Sequence, residues 1–206
     1  AEHAQLEGGL VTAKALGHAS GDGQGAGCSH NPQLGDDDSA VPAGAGSGAG
    51  HGGVGGDSLV VRNVSSCGGG GPYGVDSAPA SLGSGGGGEG GGKGGGIIHM
   101  QARSHLSFGK SGALDASGGD ARVDITPQVE SGGGGGSGGS IHVEAHAVST
   151  AASTEAVAGG QVLAEGGAGA APGGAGGAGG RIALFPLPWE PHWKTPLSQK
   201  LLAVFS

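Results

Sequence analysis

Three stretches of the chain carry side chains able to do chemistry. In His142-Val143-Glu144-Ala145-His146 the imidazoles and the carboxylate alternate with apolar residues. On an extended strand, where successive side chains point to opposite faces, His142, Glu144 and His146 therefore share one face. Two imidazoles and a carboxylate suit a borderline ion such as zinc. A related set, His99, Gln101, Arg103 and His105, stands one glycine run earlier, and strands stacked in register would lay His99 beside His142. The same alternation also describes a solvent face with Ile141 and Val143 turned inward. That plainer reading is adopted: no resident metal is expected, and His142, Glu144 and His146 are the candidates should one bind. The second stretch, Gly52 to Val60 (GGVGGDSLV), matches one nonapeptide of a calcium-binding β-roll, with Asp57 as its acidic position. Such a site takes oxygens from consecutive turns, and only one copy is present. No cofactor is expected, calcium being the one ion the match admits. Asp36-Asp37-Asp38 reads as a solvated loop. The third set is Cys28 and Cys67, the only cysteines, with the N-glycosylation sequon Asn63-Val64-Ser65 beside the second.

No residue is expected to be catalytic. The glycine runs lack the Gly-Lys-Ser/Thr ending and following helix of a phosphate loop, and no serine sits in a nucleophile elbow. The chain reads as not an enzyme.

The elements that position these residues follow from the glycine pattern. Glycine runs end at Gly56, Gly96, Gly139 and Gly180, spaced by 40, 43 and 41 residues. Three of them lead into short alternating segments at Ile98, Ile141 and Ile182, and Leu59 to Val64 follows the first. A second extended piece lies about twenty residues later, at Leu114 and Val162, with Val11 as the equivalent of an earlier unit. Short period-two segments read as strands. Their recurrence after long return paths suits parallel stacking, because hairpins need only two-residue turns. The fold expected is all-β without significant helix: a parallel β-solenoid-like repeat over residues 1–187, with a period near 41, and a capping or linking tail over 188–206. The runs themselves suit polyproline II, with three residues per turn and a rise near 3.1 Å. Residues 43–56, 83–96, 131–139 and 166–180 are expected side by side in a layer, a fourteen-residue run spanning roughly 43 Å. Substitution by valine within Gly132 to Gly136 should then do far more harm than Ser137→Ala. Similar phase in adjacent units predicts a Cys28–Cys67 disulfide, and a glycan at Asn63 requires that residue to be exposed.

Composition bounds the partners. The 206 residues include 54 glycines and 10 prolines, with 9 Lys plus Arg against 17 Asp plus Glu and a net charge of −8. So much glycine makes ordering costly, so an ordered form must recover that cost through dense backbone hydrogen bonding. An acidic balance without a basic cluster argues against nucleic acid, and no apolar run is long enough to span a membrane. The chain lacks an initiator Met and opens inside an apparent unit, so it reads as a mature fragment or a piece of a larger protein.

GSGGGGEGGGKGGGIIHM, Leu114-Asp115-Ala116-Ser117-Gly118-Gly119, GGGSGGSI and GGAGGRIA, over residues 8–187, resemble a family of large glycine-rich extracellular proteins of plants and algae. Similar repeats occur in bacterial surface proteins with β-helical stretches. Tyr73-Gly74, followed by Pro79 and Leu82-Gly83-Ser84-Gly85, is similar to that family's spacer before its main glycine run. The resemblance implies a structural or cell-surface role and carries no active site; residues 17–42 depart from it. The function expected is a structural repeat domain of an extracellular or cell-surface protein, in a wall, sheath, appendage or filament. Its partners would be other modules, copies of itself or extracellular glycans. The alternative is an ice- or glycan-binding module with a flat repetitive face, although the outward positions read His, Gln, Glu and Arg without a rank of Thr.

Overall fold

A computed structural model describes residues 3–29, 45–59, 67–126, 129–150 and 160–187. The described residues form nine strands: β1 (His3–Leu6), β2 (Leu10–Thr12), β3 (Ile97–Phe108), β4 (Ala113–Asp115), β5 (Val123–Thr126), β6 (Val129–Gly132), β7 (Ser140–Thr150), β8 (Gln161–Leu163) and β9 (Arg181–Pro186). They make a four-stranded sheet ordered β1-β3-β7-β9, a three-stranded sheet ordered β2-β4-β8 and the two-stranded β5-β6. Both larger sheets are parallel throughout, and β5-β6 is antiparallel. No helix occurs among the described residues, and none there could cross a membrane.

The register follows side-chain pattern. Ile98, Ile141 and Ile182 pair in one rank, and Val11, Leu114 and Val162 in another. One face of each sheet is buried, and a one-residue slip would turn the apolar rank outward. Ile98, Met100, Leu106, Phe108, Leu114, Ile141 and Val143 form a small core with alanines 13, 102, 116, 145 and 164.

The solenoid expectation is overturned. The strands are short, the two parallel sheets are small, and they are not repeat-like. β1 pairs directly with β3, although the glycine run at 45–56 lies between them in sequence. A solenoid needs each unit to add a rung, and this run sits elsewhere, hydrogen-bonded to 132, 135, 176 and 179.

The single-layer, fully extended picture of the runs is also corrected. Three of the four double back. Gly83 N–H reaches Gly95 O and Gly86 N–H reaches Gly92 O; Gly48 bonds Gly56 and His51 bonds Gly53; Gly174 bonds Ala170 and Gly177 bonds Gly167. Gly88 and Gly173 stand at φ 83° at two of these reversals, a left-handed conformation that glycine adopts without steric cost.

The fourth run is straight and lies at the centre. Gly132, Gly135 and Gly138 donate to Pro172, Ala175 and Ala178 carbonyls at 2.8–3.0 Å. Gly133, Gly136 and Gly139 donate to Arg122, Gly119 and Ala116, and Gly134 and Ser137 to Gly87 and Ser84. Every third residue thus faces the same neighbour, the repeat of a three-residue-per-turn helix without internal bonds. The carbonyls are filled the same way, by amides of Gly46, Ala49, Gly92, Gly95, Gly167, Ala170 and Arg181 and by the His51 side chain. Bonds in three directions make a bundle, not a layer.

Buried serines stand where a side chain can clasp a neighbouring segment. Ser47 Oγ accepts from Cys28 N–H and donates to Gly68 O; Ser137 Oγ accepts from Ser84 N–H at 2.8 Å; Ser140 Oγ donates to Ser81 O at 2.7 Å.

Candidate functional site

Two polar clusters stand against this framework. The first lies on the β3–β7 ladder. Parallel pairing places His99 opposite His142 and Gln101 opposite Glu144. The His99 and His142 rings stack at 4.8 Å with 22° between planes, and Phe185 of β9 meets His142 edge-on at 5.2 Å. Glu144 Oε1 lies 3.5 Å from His142 Nε2, and Gln101 Nε2 donates to Glu144 Oε2 at 2.7 Å. Burial, the positive field of His99 and the opposing pull of Glu144, in that order of size, leave the His142 pKa below the ordinary 6.5. Ligand atoms of His99, His142 and Glu144 lie within 4.8 Å of one another.

This constellation differs from the one read along β7 alone. His99 joins His142 and Glu144, whereas His146, two positions beyond Glu144, is not in the converging group. Cross-strand neighbours in a parallel ladder are closer than same-face neighbours along one strand. The expectation that in-register strands lay His99 beside His142 is met, while the candidate set drawn along β7 named His146 where the converging group has His99. Asp57 is not in a group of three ligating side chains among the described residues; its carboxylate accepts from Gly69 N–H at 2.8 Å. Asn63 and Asp36 to Asp38 lie outside the described residues, as does the tail 188–206.

The second cluster surrounds His51, which sequence reading passed over as part of a glycine run. Its side chain is fully buried and stacks on Tyr73 at 4.6 Å. Nδ1 lies 2.7 Å from Gly138 O. A carbonyl only accepts, so Nδ1 carries the proton and fills the one carbonyl of Gly132 to Gly139 that no amide of the described residues reaches. Tyr73 O–H donates to Leu82 O and accepts from Ser84 Oγ. Arg181 Nε donates to Tyr73 O at 2.8 Å, and its guanidinium pairs with Asp76. The cluster is a keystone that ties the first run, the 73–84 segment and β9 to the central run.

Burial lowers the His51 pKa most; the hydrogen bond to Gly138 opposes this, and the Arg181 charge adds to the lowering. A histidine depressed in the folded state contributes stability that is complete above its unfolded pKa of about 6.5 and is lost as pH falls toward the folded value. The melting temperature is therefore expected to drop between about pH 7 and pH 5.5, and His51→Gln should flatten that limb while lowering the plateau. A melting temperature that stays level or rises on acidification through this window would contradict the assignment.

Cys28 and Cys67 lie at disulfide distance with Cα atoms 5.6 Å apart. Such pairs persist in oxidising compartments.

No family model, curated protein or solved structure matches the chain.

Proposed function

We propose that this chain is a structural module of an extracellular or cell-surface protein, working as a spacer or assembly unit and not as an enzyme. The observation that carries the reading is the central run. All amides and carbonyls of Gly132 to Gly139 are bonded to segments drawn from six other parts of the chain. Rigidity then comes from backbone bonding, with few side chains open to hydrolysis or oxidation. The Cys28–Cys67 pair supports an oxidising, external setting.

The outermost strand supports joining to further modules or copies. Ile182 and Leu184 of β9 continue the ranks of buried Ile141 and Val143, yet they are 45% and 52% exposed. Among the described residues no strand pairs with the outer edge of β9, and such an edge with apolar side chains invites another chain. Sedimentation and negative-stain images across a concentration series test this, alongside a glycan array and an ice-recrystallisation assay. Expected is concentration-dependent association that Leu184→Glu weakens, with no saccharide or ice activity. A chain that stays monomeric and selectively retains a saccharide, or inhibits ice growth, overturns the reading in favour of a recognition module.

A further inference from the structure

We propose that His99, His142 and Glu144 form a binding site for one zinc-type divalent ion that clamps β3 to β7. The inference stands on the ladder geometry and does not depend on the structural role above.

Both imidazole Nε2 atoms are buried and have no hydrogen-bond partner among the described residues. A plain stacked column would be served equally well by Phe or Leu, which bury no bare nitrogen, and buried polar atoms are ordinarily bonded. A carboxylate is drawn to the same point: Glu144 Oε1 stands 3.5 Å from His142 Nε2. Gln101 holds the other oxygen of that carboxylate at 2.7 Å, the kind of outer partner that orients a metal ligand.

The donor set selects the ion. Two imidazoles and one carboxylate favour zinc and its neighbours, whereas calcium and magnesium take oxygen shells. Zinc takes four ligands in tetrahedral array, with nitrogen and oxygen at about 2.0–2.2 Å. Three protein atoms therefore leave one position for water. Ring rotation has to draw the ligand atoms inward from their 4.8 Å spread. The His142 and Glu144 side chains are 14% and 27% exposed, so the ring rotation that brings the buried Nε2 atoms to an ion takes place at the edge of the protein.

Zinc titration of the untagged, chelator-treated full chain, followed by calorimetry and by melting temperature, tests the site. Visible absorption of the cobalt-substituted protein reports its coordination. Expected is one ion per chain and a raised melting temperature. Loss of an outer partner costs about 10- to 100-fold in affinity, so Gln101→Leu should weaken binding within that range. Glu144→Gln and His99→Gln should each weaken it by at least about tenfold. Glu144→Gln leaves the ring stack intact, so its result stands even if a histidine variant folds poorly. His146→Gln should bind as wild type. Absence of one-to-one binding, wild-type affinity in both Glu144→Gln and His99→Gln, or loss of binding in His146→Gln each overturns the proposal.

Discussion

Gly134→Val is expected to cost at least about 3 kcal/mol, the upper end of the range for overpacking, or to prevent folding altogether. A Cβ built at Gly134 falls under 3.0 Å from both the carbonyl carbon and the oxygen of Ser47. These are backbone atoms held in their own lattice of bonds, so nothing nearby can rotate away. Moving the segment would break Gly134 N–H to Gly87 O at 2.8 Å and Gly92 N–H to Gly134 O at 2.9 Å. Gly68→Ala is the matched comparison. Its Cβ would meet nothing within 4 Å, and a change within about 0.5 kcal/mol is expected. Ser137→Ala falls between them, because Ser137 is fully buried and its hydroxyl accepts from Ser84 N–H. Leaving that amide unpaired costs about 1–3 kcal/mol. Urea unfolding of the three variants gives the order directly; Gly134→Val within about 1 kcal/mol of Gly68→Ala would contradict close backbone packing.

Loss of the Cys28–Cys67 bond is expected to cost about 2–4 kcal/mol. The two residues are 39 apart in sequence, so the crosslink restricts a long loop in the unfolded chain. It also fastens a framework contact: Ser47 N–H donates to Cys28 O, and Ser58 N–H to Cys67 O. Thiol titration should find no free thiol in the denatured, unreduced protein. Reductant should lower the urea midpoint of the wild type and leave a Cys28→Ser, Cys67→Ser double variant unmoved. Two titratable thiols, or a midpoint insensitive to reductant, would refute the bond.

The strands at Ile98, Ile141 and Ile182 and at Val11, Leu114 and Val162 were legible because alternation is local, whereas β1 (His3–Leu6) and β6 (Val129–Gly132) were not foreseen. Ile98, Ile141 and Ile182 announce themselves after their glycine runs, and their pairing sets His99 against His142. The path between strands was not legible. A constant spacing suggested one rung per unit, yet β1 lies beside β3, and the run at 45–56 enters the bundle instead of the sheet. Polyglycine bonds as readily in three directions as in one, so nothing in a run of glycines distinguishes a layer from a bundle. The interruptions did hold a clue. Glu89, Pro172 and His51 stand near the reversals of the three folded runs, whereas the straight stretch Gly132 to Gly139 is interrupted by Ser137 alone. The metal candidates were half legible, since His142 and Glu144 share a strand but the third ligand comes from a neighbour fixed only by register. His51 was hidden because its role is to complete a carbonyl 87 residues away.

Residue-resolved amide hydrogen exchange across Gly132 to Gly139 is the most direct measurement of whether the glycine bundle holds the fold together. Amides bonded within a cooperative core open only with global unfolding. Protection of these glycines equal to that of Ile141 and Val143 in β7 is expected, and Gly134→Ala should lower it across the whole run. Exchange of the run at the rate of an unstructured peptide, while β7 stays protected, would show that the sheets stand without the glycine bundle and would contradict its central place.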